Sequence, residues 1–287
     1  MKTYTFLLAL TCCQLSFVAA QNTYYEPMVI ADDYVWISGT TDASPGDALL
    51  IHQYGGAITQ TSGSEAGQIV DMNGAGRYEL TRISRIAGDT LFFSPALTGF
   101  FDADYSQVVV DRNESERTVG NLTAPPFDGR RGGILFVSAL GQLTLTGTLD
   151  AAGAGFRGGA GIQKPGDCNF LSPADGYTYA DGSFEGTRRG EGATTMPDGR
   201  ELGRAPSANG GGGGNDHNSG GGGGGNAVLG GRGGENITNS PFRCPGRFPG
   251  LGGYALPLDT ERLYFGGGGG AGHANNTTQA GGGNGGG

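Results

Sequence analysis

The sequence predicts a mainly β protein with little α-helix, in which an N-terminal antiparallel β module precedes a glycine-rich layer of polyglycine-II helices with long loops. Short apolar segments bounded by Gly, Asp, Asn and Pro recur along the first half of the chain. No stretch of about 11 residues or more shows a helical 3.6-residue period. Of the 60 glycines in 287 residues, 11 lie in residues 1–126 and 49 in residues 127–287.

Residues 1–20 have the pattern of a secretory signal peptide. A cationic start is followed by an apolar stretch, and Val18 and Ala20 are small residues at the expected cleavage positions. We therefore expect cleavage near Ala20 and a mature chain that is secreted or held at the cell surface. A transmembrane span and a lipoprotein anchor at Cys12 or Cys13 are the alternatives.

Residues 21–150 are predicted to form the β-rich module. The expected strands are short apolar runs or alternate apolar with polar residues. In the last of them leucines alternate with threonines, so we expect one buried face and one wetter face. The expected strands cover residues 28–30, 34–37, 48–54, 67–71, 77–83, 89–93, 105–110, 133–138 and 142–149.

Residues 151–287 are predicted to form the glycine-rich layer. Oligoglycine either stays disordered or packs as three-residue-per-turn helices whose backbones approach closely enough to hydrogen-bond. The segment Gly210–His217, with sequence GGGGGNDH, is echoed by Gly266–His273, with sequence GGGGGAGH. A flexible linker has no need of such registration, so we predict an ordered layer.

Two cysteines remain after the predicted cleavage. In an oxidising compartment, Cys168 and Cys244 are expected to form one disulfide around the first long glycine-rich stretch. Two free or buried thiols are the alternative.

Composition and motifs argue against several kinds of site. The net charge is −9 and no basic cluster exceeds two arginines, so nucleic acid is not an expected partner. Gly153–Gly158 matches GxGxxG, but no helix is expected to follow, so no cofactor is predicted. His217 and His273 are weak candidates for a metal pair because their offsets match. The alternative is that both side chains bond backbone groups.

The order of these features resembles that of secreted glycine-rich surface proteins of Bacteroidota-type bacteria. A similar glycine-rich layer lies beside β-sandwiches in receptor ectodomains of the anaplastic lymphoma kinase type and in phage tail-tip adhesins. The resemblance implies the fold and a surface location. The residues that carry it are Gly46–Gln53, Gly76–Glu79, Thr123–Leu135, Leu145–Gly159, Asn209–Asn226 and Phe265–His273.

The same family often continues into further segments and ends in a sorting or gliding-associated module. This sequence ends at Gly285-Gly286-Gly287 without one. We therefore expect it to be the front portion of a longer protein.

These observations favour a non-catalytic structural or adhesive protein of the bacterial surface. Its glycine layer is expected to position loops 167–208 and 236–264 for contact with a polysaccharide or protein partner, and self-association is a further expectation. An ice-binding protein is the first alternative. A carbohydrate-active enzyme using Asp181, Glu185 and Glu191 is the second.

Overall fold

The computed structural model describes residues 22–164, 176–194, 199–236 and 246–287. Within these ranges the chain is mainly β, which confirms the predicted class, and its two helices are short 3-10 turns at Gly63–Glu65 and Ala103–Tyr105. The strands are β1 (Asn22–Tyr25), β2 (Pro27–Ile30), β3 (Tyr34–Ile37), β4 (Ala48–Gln53), β5 (Ile58–Thr59), β6 (Ile69–Asp71), β7 (Tyr78–Ala87), β8 (Thr90–Ser94), β9 (Ser106–Asp111), β10 (Glu116–Val119), β11 (Leu122–Thr123), β12 (Gln142–Leu145) and β13 (Leu149–Asp150).

Seven strands form one antiparallel sheet in the order β1-β9-β4-β7-β8-β3-β2. The strands at its two edges, β1 and β2, are joined by Glu26 alone, which spans at most about 7 Å. The sheet must therefore curl until its edges approach each other, and β2 also contacts β9. The curled sheet encloses a core of Tyr25, Val35, Ile37, Leu49, Ile51, Ile83, Leu91, Phe93, Leu97, Phe101, Val108 and Val110.

The central strands β4 and β9 are buried on both faces. In β4, Leu49 and Ile51 belong to the enclosed core, whereas Leu50 belongs to a second core on the outer face. All residues of β9 are buried as well. The outer face is covered by later parts of the chain, because the second core comprises Leu50, Tyr54, Ala57, Ala75, Val109, Phe127, Ile134, Phe156, Ala193, Ala208, Leu256 and Phe265.

The strand predicted at residues 133–138 does not form. Instead, the side chain of Asn22 takes the place of a strand partner. Its Nδ2 donates to the carbonyl of Phe136 at 2.6 Å, and the Phe136 N–H donates to its Oδ1 at 2.9 Å. Gly132 and Gly133 both have positive φ, which turns the chain out of the extended conformation just before this segment.

The prediction of a buried leucine face in residues 142–149 is wrong. The segment splits into β12 and β13, which pair in parallel with β10 and β11. Leu143, Leu145 and Leu149 are 38%, 52% and 42% exposed. Each ladder has only two strands, which is too narrow to bury a face by itself.

Glycine segments after Asp150 are joined by backbone hydrogen bonds at a three-residue spacing. In segment 210–214, three successive N–H groups donate to three different neighbouring segments, and the fourth returns to the first neighbour. The donor and acceptor pairs, all at 2.7–2.9 Å, include Gly211 to Gly268, Gly212 to Leu251, Gly213 to Gly203, Gly214 to Ala271, Gly222 to Gly212, Gly225 to Asn209, Gly266 to Gly286, Gly269 to Gly283 and Gly272 to Ala280.

These segments lie too close together for side chains. A Cβ added at Gly212 would lie 1.9 Å from the carbonyl oxygen of Arg204, and one added at Gly270 would lie 2.0 Å from that of Gly212. Such contacts require the backbone to shift. By contrast, a Cβ at Gly231 would meet no atom within 4 Å.

Asn209 joins the glycine region to the cover of the sheet. Its side chain is fully buried, and its Oδ1 accepts the Ala193 N–H at 2.9 Å. Its Nδ2 donates to the carbonyls of Phe265 at 3.0 Å and Gly225 at 3.3 Å. Three chain segments are thereby held by one amide.

Phe265 anchors the same junction through its ring. It immediately precedes the Gly266–Gly270 run and is 1% exposed. Its ring centroid lies 5.2 Å from that of Phe127, 5.4 Å from Phe156 and 5.3 Å from His52 on β4. The glycine run therefore starts from the aromatic core on the sheet.

Alanine substitution should destabilise the fold at a glycine packed against a neighbouring backbone and have little effect at a glycine with open space around it. We expect Gly212→Ala to lower the free energy of unfolding by about 3 kcal/mol, because the new methyl group must displace backbone. The matched control Gly231→Ala should change it by less than about 0.5 kcal/mol. Urea denaturation of both full-length variants measures the difference, and equal effects would contradict the packing described.

Candidate functional site

A cleft lies where the outer face of the sheet meets the glycine region. We call it the junction cleft, and it has three adjoining compartments of about 320, 240 and 390 Å³. The first and second share Gly56, Tyr105 and Thr194, and the second and third share Glu191 and Glu201. Loops from both parts of the chain thus line three neighbouring compartments.

The second compartment has an aromatic wall. Tyr54, Tyr105, Phe127 and Phe156 line it, and the rings of Tyr54 and Phe127 meet edge to face with centroids 4.9 Å apart. Burial raises the pKa of Tyr54 to about 12, and its hydroxyl donates to the Asp104 carbonyl at 3.3 Å. Tyr54 therefore stays neutral at physiological pH and contributes an apolar surface.

The third compartment is lined by two ion pairs. Glu191 accepts hydrogen bonds from Arg157 Nε at 2.9 Å and from the Arg157 backbone N–H at 3.0 Å. The side-chain hydrogen bond and the charge of Glu191 raise the pKa of Arg157. Glu201 pairs with Arg188. Both carboxylates of this compartment therefore have an arginine partner.

The structure does not bring the three predicted acids into this cleft together. Glu191 lines it, whereas Asp181 and Glu185 are not among the lining residues. Asp181 accepts the Glu201 N–H at 3.2 Å, and Glu185 accepts the Ser183 hydroxyl at 2.8 Å. Glu201, which the sequence analysis did not single out, is the second acid in the cleft.

Arg189 is the other lining residue that the sequence did not reveal. It borders the first and third compartments and is only 6% exposed. Burial lowers its pKa to about 10, so it remains charged at neutral pH. The only sign of Arg189 in the sequence is the Arg188-Arg189 pair between Thr187 and Gly190, and such a pair is equally typical of a solvated turn.

His217 acts electrostatically on His273, although burial is the main cause that lowers the pKa of His273. His273 is buried and its Nε2–H donates to the Phe184 carbonyl at 3.3 Å. Across the four described ranges, no group of three or more His, Cys, Asp or Glu side chains is placed to hold a metal ion. The hydrogen bond from His273 to the Phe184 carbonyl agrees with the alternative in which the histidine side chains bond backbone groups.

Other predictions fall partly or wholly outside the described residues. Cys168, Cys244 and residues 1–20 are not among them, so the disulfide and the signal peptide stay predictions. No helix within the described part of the chain is long and apolar enough to cross a membrane. The backbone of the GxGxxG segment is bonded to the C-terminal glycines, with the Gly155 N–H donating to the Gly285 carbonyl at 2.8 Å.

Comparison of the chain with protein-family models, curated proteins and solved structures gave no match. The function must therefore be argued from the residues and their geometry.

Two buried histidines should make the free energy of unfolding depend on pH in the acid range. Burial lowers the pKa values of His52 and His273 to about 4, against the usual 6.5. Between these values the unfolded chain binds protons that the folded chain excludes, so the free energy of unfolding should fall as pH drops from about 6.5 to 4, by up to about 3 kcal/mol per histidine.

Urea midpoints at about pH 7.5 and pH 4.5 measure this loss. In the double variant His52→Gln/His273→Gln, the free energy of unfolding should fall less between these two pH values. The difference from the wild-type chain is the part of the loss that the two histidines cause. An unchanged pH dependence in the double variant would show that the histidines do not cause it.

Proposed function

We propose that this chain is a secreted, non-catalytic structural or adhesive protein of the bacterial surface. In this proposal a layer of polyglycine-II helices packs beside the β module and holds the exposed parts of loops 167–208 and 236–264 for contact with a polysaccharide or protein partner. The observation that carries the proposal is the three-residue spacing of hydrogen bonds between glycine segments.

That spacing is what polyglycine-II geometry requires. A helix with three residues per turn presents equivalent N–H and C=O groups to the same neighbour at every third residue, and has no internal hydrogen bonds. Gly266, Gly269 and Gly272 donate to Gly286, Gly283 and Ala280 in this way. Because side-chain-free backbones pack against one another on several sides, the resulting layer is stiff in every direction.

A stiff layer suits passive display. Asn209 and Phe265 fix the layer to the sheet, so loops emerging from it keep their position relative to the β module. Binding through preorganised loops loses less conformational entropy than binding through a flexible chain. In the second display loop, Leu258 is 87% exposed, an apolar side chain offered to solvent.

Location follows from the N-terminal sequence in this proposal. Residues 1–20 direct export and are removed near Ala20, and Cys168 and Cys244 pair in the oxidising compartment. No cofactor or nucleic acid is required. Self-association of the glycine layer is a further part of the proposal.

Adhesion of the full mature chain tests this function. Beads coated with residues 21–287 should bind saturably to bacterial cells or to films of surface polysaccharide or matrix protein. Leu258→Asp should weaken that binding about fivefold or more, because it removes an exposed apolar contact from a display loop. Phe100→Asp is the matched control, since Phe100 is 78% exposed but lies outside both loops.

Three results would contradict the proposal. They are the absence of saturable binding to any of these surfaces, equal loss of binding in both variants, and hydrolysis of glycosides by the purified chain. Thermal hysteresis without adhesion would instead favour the ice-binding alternative.

A further inference from the structure

The first compartment of the junction cleft has a mixed polar and apolar lining with one charged side chain. Its 320 Å³ is at the lower end of the range of small-molecule sites. Arg189 is the one charged residue among the lining residues that the structure describes. Threonine and serine hydroxyls, the amides of Gln60 and Asn73 and the Tyr105 ring supply the rest of the polar and aromatic lining.

The charge of Arg189 is not matched by a carboxylate in the described residues. Buried charges are normally paired, because desolvation is costly. Glu201 acts on Arg189 electrostatically, but its ion pair is with Arg188. A guanidinium has five N–H donors. Those of Arg189 reach the carbonyl of Arg200 and, at a long 3.5 Å, that of Pro206, while its Nε has no partner in the described chain.

Ser207 is a second unsatisfied group in the same wall. Ser207 is 1% exposed, and its Oγ, which solvent does not reach in this conformation, has no hydrogen-bond partner among the described residues. It follows Pro206, the acceptor of the long bond from Arg189. A small shift of the Arg189 side chain that gives up this weak bond would free further donors for a ligand beside Ser207.

We propose that the first compartment binds one acidic sugar unit of a surface polysaccharide. Its anionic oxygens accept hydrogen bonds from the Arg189 guanidinium, and its hydroxyls exchange hydrogen bonds with Ser207 and the lining threonines. Arginine suits planar bidentate recognition of such oxygens, and hydroxyl groups both donate and accept as a sugar requires. The inference rests on the proposed adhesive function and names the ligand class for it.

Calorimetric titration of the full mature chain tests the inference with three probes, namely glucuronate, glucose 6-sulfate and neutral glucose. At least one acidic probe should bind about tenfold or more tightly than glucose. The tighter of the two identifies whether carboxylate or sulfate oxygens are the natural group.

Two variants assign the binding to Arg189 and Ser207. Arg189→Gln should weaken the acidic probe about tenfold or more, whereas the matched control Arg232→Gln, an exposed arginine paired with Glu235, should leave it unchanged. Ser207→Ala should weaken binding severalfold, and it provides the test if Arg189→Gln fails to fold.

The inference is overturned if no probe binds, if glucose binds as tightly as the acidic sugars, or if a folded Arg189→Gln binds them unchanged. Adhesion of wild-type chain to surfaces in the absence of acidic-sugar binding would overturn this inference alone. Failure of the wild-type chain to adhere to any surface would overturn the proposed function itself.

Discussion

Close contact between glycine backbones is the constraint on which the rest of this structure depends. Residues after Asp150 contribute little apolar area, so hydrogen bonds between segments take the role that a hydrophobic core has elsewhere. Those bonds are 2.7–2.9 Å long between segments such as 210–214 and 266–272. They form only because hydrogen replaces Cβ, and a methyl group would sit about 2 Å from a neighbouring carbonyl oxygen at positions such as Gly212.

The β module and the glycine region depend on each other. The curled sheet has a complete core on its inner face, but β4 and β9 carry Leu50 and Val109 on the outer face, which needs cover. The glycine region lacks apolar residues of its own except for anchors such as Phe265. Packing the two together buries the outer face, aligns the glycine run and leaves the junction cleft as the recess between the two surfaces.

Alternation and apolar runs were enough to predict most strands, since β4 and β9 stand out as short apolar runs in the sequence. The neighbours of each glycine segment were not predictable, because glycines carry no side chain to distinguish one neighbour from another. In β12 the leucines alternate with polar residues, which usually indicates a strand with one buried face. They are exposed because β12 pairs only with β10, and no local sequence pattern reveals that a ladder has only two strands. Arg189 and Glu201 were missed because long-range packing decides which charged side chains come together in a cleft and which of them are buried.

Hydrogen exchange of the full chain, resolved at single amides, tests the glycine packing most directly. The account predicts slow exchange at Gly211, Gly214, Gly222 and Gly225, whose N–H groups donate across segments, with protection of at least about a thousandfold over an unstructured peptide. Exchange of these amides at the rate of an unstructured chain would contradict the account.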